Sequence, residues 1–83
     1  MKIQILRTDG SEEIHEGTQA DIDGLIGADM LDFVNLRDGR MMAVDDIGYK
    51  KGLPVNEMAT ELYHAVRETD HEILGDVAII PKS

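Results

Sequence analysis

"MLDFVNLRDGRMMAVDD", residues Met30 to Asp46, is the stretch whose reading decides the fold. Asp38-Gly39 lies between two apolar runs, and Asp-Gly is among the strongest signals for a two-residue hairpin turn. "MLDFVNL" therefore reads as one strand and "MMAV" as its partner. Four consecutive apolar residues in "MMAV" require cover on both faces, which places that strand centrally in a sheet.

Upstream, "KIQILRT" sets Ile3 and Ile5 against Lys2 and Gln4 in the period-two pattern of a strand. Asp9-Gly10-Ser11 is a turn, and "EEIHE" returns as a short, charged edge strand around Ile14. Thr18 opens T-x-x-D, a helix start with Asp21 at the third position. Ile22, Leu25 and Ile26 give the helix one apolar face, and Gly27 stops it. Downstream of Asp45-Asp46 and the loop "IGYKKG", a longer helix runs from about Pro54 or Asn56 to Arg67. Met58, Ala59, Leu62, Tyr63 and Val66 form its apolar stripe. "ETDHEILGD" is a polar connection, and "VAII" is a last buried strand. The order ββαββαβ predicts an α+β fold in one domain, residues 1–83. It comprises a small antiparallel or mixed sheet of about five strands with two helices on one face.

Seventeen acidic and eight basic residues give a formal charge of −9. Such a field repels nucleic acid and anionic membranes, and favours a basic partner. Without cysteine, neither disulfides nor thiolate metal sites are open to the chain. A chain of 83 residues buries little core, so association into a homo-oligomer is the expected source of added stability. No apolar run reaches the length of a membrane span, and "MKIQILRTDGSEE" lacks a signal peptide's apolar segment. A cytoplasmic location is expected, the host cytoplasm if a phage encodes the chain.

Few residues suggest chemistry. Glu61-x-x-His64, flanked by Glu57 and Glu68, resembles a carboxylate–histidine metal stripe, but such sites need facing helices of a bundle. These residues read as the wet face of the helix, and neither metal nor cofactor is expected. Gly24-Leu-Ile-Gly27 matches a G-x-x-G phosphate clamp only superficially, since Asp21, Asp23 and Asp29 surround it. Asp45 and Asp46 follow a strand, where carboxylates can serve as acid and base. Adjacent strand residues point to opposite faces, so they make a poor catalytic pair. Ser11 lies in a turn and Ser83 at the terminus, neither in a nucleophile's setting. Lys50 and Lys51 lead into a helix start at Asn56, and with Arg37 and Arg40 they are the candidate ligands for a small anion. As a cap alone, Asn56→Ala should cost about 1 kcal/mol and Asn56→Asp almost nothing. Removing both lysines should leave the empty fold untouched.

The positions Asp45, Asp46, Gly48, Gly52, Leu53, Pro54, Asn56 and Ala59, followed by Gly75, Asp76 and Ile79, resemble a known pattern. That pattern is D-D/E-x-G-x-x-x-G-L-P-x-N-x-x-A, then G-D-x-x-I, of the family called domain of unknown function 3846. The likeness spans roughly residues 20–80, with the family's GGYIE-type segment replaced here by "GADMLD". It implies a gene of bacterial, phage or mobile-element character and supplies no activity. The expected function is a non-enzymatic accessory protein that binds or inhibits a host component, a basic protein by charge. A nucleotide-sequestering module using Lys50, Lys51 and Asn56 is one alternative. An enzyme using Asp45 or Asp46 is the other.

Overall fold

In chain order, the strands and α-helices are β1 (Lys2–Leu6), β2 (Glu12–Glu16), α1 (Ile22–Ile26), β3 (Leu31–Asn35), β4 (Met41–Asp45), α2 (Glu57–His64) and β5 (Val77–Ile80). They belong to a computed structural model that describes residues 1–82, so Ser83 lies outside the described residues. The order is the expected ββαββαβ. A 3-10 turn, Gln19–Asp21, leads into α1. Asp21 Oδ2 accepts from the Thr18 backbone N–H at 2.8 Å, and Gly27 closes α1 in the left-handed conformation at φ 66°.

Both hairpins turn through three residues rather than two. Arg7 N donates to Ser11 O and Gly10 N to Arg7 O. Leu36 N donates to Arg40 O and Gly39 N to Leu36 O, so Arg37, Asp38 and Gly39 form the second loop. Asp-Gly thus supplies the left-handed glycine after a type I turn, with Gly10 at φ 90° and Gly39 at φ 92°.

Across the sheet the strands run β2-β1-β5-β4-β3, antiparallel at every pairing. The C-terminal "VAII" takes the centre, and "MMAV" lies beside it instead. All four residues of β5 are buried. Side chains alternate along it: Val77 and Ile79 join one core with Leu6, Val34, Met42, Val44 and Ala59 of α2. Ala78 and Ile80 join the other, with Ile3, Ile5, Ala43 and the α1 residues Ile22 and Ile26. The two helices therefore cover opposite faces, not one. The physical reason is that β4 and β5 are apolar on both sides, and one layer of helices would leave half of that surface in water.

Arg7 ties the corner where β1, β2, α1 and β5 meet. Its guanidinium donates to Glu13 at 2.8 and 3.0 Å, to Asp76 at 2.9 Å and to Leu25 O at 3.0 Å. Asp76 also accepts from Thr8 N at 2.9 Å. The Arg7 hydrogen bonds, helped by His15, hold the Glu13 carboxyl down at about 2 against an ordinary 4.5. A depressed carboxyl stabilises the fold above its unfolded value and loses that contribution as pH falls through the folded one. The melting temperature should therefore drop between pH 4.5 and 2, and Glu13→Gln should flatten that part of the curve. An unchanged slope in the variant would show that other carboxylates carry the acid transition.

Candidate functional site

The five residues expected to bind an anion do not converge. Asn56 is fully buried, and every polar atom of its side chain is engaged. Its Oδ1 accepts from Ala59 N at 3.1 Å, capping α2, while Nδ2 donates to Leu6 O at 2.9 Å and Gly75 O at 3.0 Å. It is a structural bolt between α2, β1 and the segment before β5, closed to any ligand. Lys51 turns toward α1: its Nζ meets Asp45 at 2.6 Å, Asp29 at 2.9 Å and Gly27 O at 2.9 Å. Lys50 instead lies 6.0 Å from the centroid of the Tyr49 ring. The adjacent lysines thus have separate surroundings, and one is spent on internal carboxylates.

Arg37 and Arg40 do border one hollow, beside Leu36, Leu62 and Val66. Arg37 Nη2 donates to Ala65 O at 2.6 Å at the end of α2, and Arg40 Nε is held by Asp38 at 2.7 Å. Both are already neutralised or committed, so the hollow is a weak place for an anion. Asp45, the last residue of β4, is buried against Lys51, whereas Asp46 lies just beyond the strand and is exposed; both border the cleft described below. Burial pushes the Asp45 carboxyl up, but the Lys51 ammonium and the N–H groups of Ile47 and Met30 outweigh it and leave the group below the usual range. A carboxylate held ionised in this way is a poor proton acceptor. Among the described residues, no group of three or more His, Asp or Glu is placed to hold a metal ion.

The site that the fold builds lies elsewhere. A cleft of about 220 Å³ opens on the α2 side between β3, β4, the loop after β4 and the segment before β5. Val34, Val44, Ile73 and Leu74 supply its apolar surface, and Tyr49 and Tyr63 its aromatic groups. Tyr49 is 67% exposed. Asp32, Asp46 and Glu72 add three exposed carboxylates, and no Lys or Arg lines the cleft. Among the described residues, none of the three forms an ion pair.

The cleft is held open by backbone contacts. Gly48 is buried where the loop crosses Leu74, and a Cβ added there would stand 3.2 Å from Leu74 O. Asn56 N donates to Ile73 O at 2.8 Å, and Gly75 N to Pro54 O at 2.8 Å, strapping the segment down. His64 Nε2 lies 2.7 Å from His71 O, fixing the segment's other end to α2. Apolar surface with aromatic rings and unpaired carboxylates suits a cationic group on an aliphatic stem, such as a lysine or arginine side chain. Sequence reading missed this cleft because its residues come from four separated segments. The one local signal was Tyr49, an aromatic residue in a polar loop.

Comparison with protein-family models, with curated proteins and with solved structures gave no match to any of them.

Proposed function

We propose that the chain is a non-enzymatic accessory protein that acts by binding a basic partner protein, with a lysine or arginine side chain entering the Tyr49–Tyr63 cleft. The observation that carries this reading is the cleft's composition: two tyrosines and three carboxylates outside any ion pair, with no lysine or arginine. The charge of −9 supports it by speeding encounter with a basic surface. A phage or mobile-element origin, and hence a host protein as the partner, enters through the resemblance of the Asp45–Ala59 stretch alone. Self-association stays within the proposal, but not edge to edge. Glu12, Glu13 and Glu16 on β2 and Asp32 on β3 would oppose their own copies.

The nucleotide-sequestering reading is less favoured, because Asn56 and Lys51 are already committed. The two readings separate in one set of measurements. A short lysine-containing peptide should shift the resonances of Tyr49, Tyr63 and Glu72, with an affinity that falls as salt rises. Asp46→Asn with Glu72→Gln should weaken it about tenfold, roughly 1.4 kcal/mol. Common mono-, di- and cyclic nucleotides should leave the melting temperature unchanged. A ligand at 100 times its dissociation constant adds about 2.7 kcal/mol, a rise of more than about 10 °C in a domain this small. A nucleotide shift of that size, with no peptide response at the tyrosines, would reverse the preference.

A further inference from the structure

The cleft borders a free strand edge, and together the two describe a partner's shape as well as its charge. Asp46 N donates to Met30 O and Leu36 N to Arg40 O, so the even-numbered residues of β3 bond to β4. The backbone groups of Leu31, Phe33 and Asn35 consequently point away from the sheet, at its outermost strand. Alternation gives that edge two unlike sides. Asp32 and Val34 face the cleft, whereas Phe33, 37% exposed, projects on the α1 side.

We infer that β3 accepts an extended basic segment of the partner protein as a sixth, added strand. This rests on the cleft reading and sharpens it. A strand is the shape that satisfies a row of unpaired N–H and C=O groups spaced two residues apart. Its side chains alternate between the two faces. Those on the α2 side stand beside Asp32, at the mouth of the cleft with Asp46, and are basic. Those on the α1 side lie against Phe33 and are apolar. The recognised pattern is thus an alternation of basic and apolar residues.

One bond must change for this docking. Asp32 Oδ1 accepts from Phe33 N at 2.9 Å, occupying the central donor of the edge. An incoming ammonium or guanidinium draws the Asp32 carboxylate toward itself and releases that N–H to the partner's carbonyl. The empty edge is thereby protected against indiscriminate pairing, and a basic strand removes the protection. A second copy of the chain fits poorly, because it would bring Asp32 rather than a cation. The other edge, β2, carries Glu12, Glu13 and Glu16 but does not border the tyrosine cleft.

The test uses a six-residue peptide alternating lysine and valine, and two versions N-methylated at alternate residues in either register. Titration into the full chain, followed by amide shifts, should perturb Leu31, Phe33 and Asn35 together with Tyr49 and Tyr63. N-methylation in one register should weaken binding at least tenfold, while the other register has little effect, and Asp46→Asn should weaken it too. If both methylated peptides bind as well as the parent yet remain sensitive to Asp46→Asn, the added strand is wrong and the cleft reading stands. Shifts confined to β2, or no binding, overturn both. Shifts at β3 that grow with protein concentration alone assign the edge to a second copy and overturn the inference.

Discussion

Asn56→Ala should cost about 3–5 kcal/mol, and Asn56→Asp should also destabilise rather than be neutral. The alanine change leaves the Ala59 N–H and the Gly75 carbonyl without these partners in the interior, and takes from Leu6 O the donor it has besides its pairing with β5. Each such group costs about 1–3 kcal/mol. Total stability for a chain of this length is about 4–12 kcal/mol, so the melting temperature should fall by at least about 12 °C. An expectation based on the helix cap alone counts only the Ala59 contact.

Aspartate preserves that contact, but replaces the amide donor with an oxygen facing two carbonyl oxygens. Its carboxyl gains by holding a proton, which raises its folded-state pKa. A raised carboxyl stabilises below its unfolded value and loses that contribution as pH rises through the folded one. The aspartate variant should therefore recover stability relative to the parent as pH falls from 7 toward 4. Equal urea midpoints for parent and aspartate variant at pH 7 would show that the two carbonyl contacts do not hold the fold.

Much of the fold was legible because its signals are local. The Asp-Gly pairs marked both hairpins, Thr18 and Asn56 marked the helix starts, and Gly27 marked a helix end. What was not legible depended on contacts between distant positions. A helix's apolar stripe says that it must be covered, not which side of a sheet covers it. The signal for two covered sides lay in "MMAV" and "VAII", apolar at every position, and outweighed the bias toward a single helical layer. The candidate site follows the same rule. Lys50 and Lys51 look equivalent in sequence, yet only Lys51 reaches carboxylates, one from the α1–β3 loop and one from β4. The cleft joins Asp32, Asp46, Tyr49, Tyr63 and Glu72, whose spacing has no helical or strand period.

Asp45→Ala should cost about 2–4 kcal/mol, placing it beside Asn56 among the most damaging single changes. The Asp45 side chain is 2% exposed and meets Lys51 Nζ at 2.6 Å. Its Oδ1 accepts from Ile47 N at 3.3 Å and Met30 N at 3.4 Å, the latter a longer and weaker contact. Alanine takes this acceptor from Ile47 N and Met30 N and leaves Lys51 with only Asp29 and Gly27 O, whereas Asp45→Asn retains the backbone contacts and should fall between the two. On the opposite side of the pair, Lys51→Ala leaves a buried carboxylate without its counter-charge, so the melting temperature should drop. Lys50→Ala should not move it, and the double change should match Lys51→Ala alone. The pair also sets a pH window. The Asp45 contribution is present above the usual 3.8 and fades as pH falls through its lower folded value. Hydrogen bonds to Asp45 and Asp29 raise Lys51 above 10.5, so its contribution is present below that pH and fades above it. The latch therefore holds α1 against the sheet from about pH 4 to about pH 10. A Lys51→Ala protein that melts with the parent across that range would mean Asp45 is held by backbone N–H groups alone.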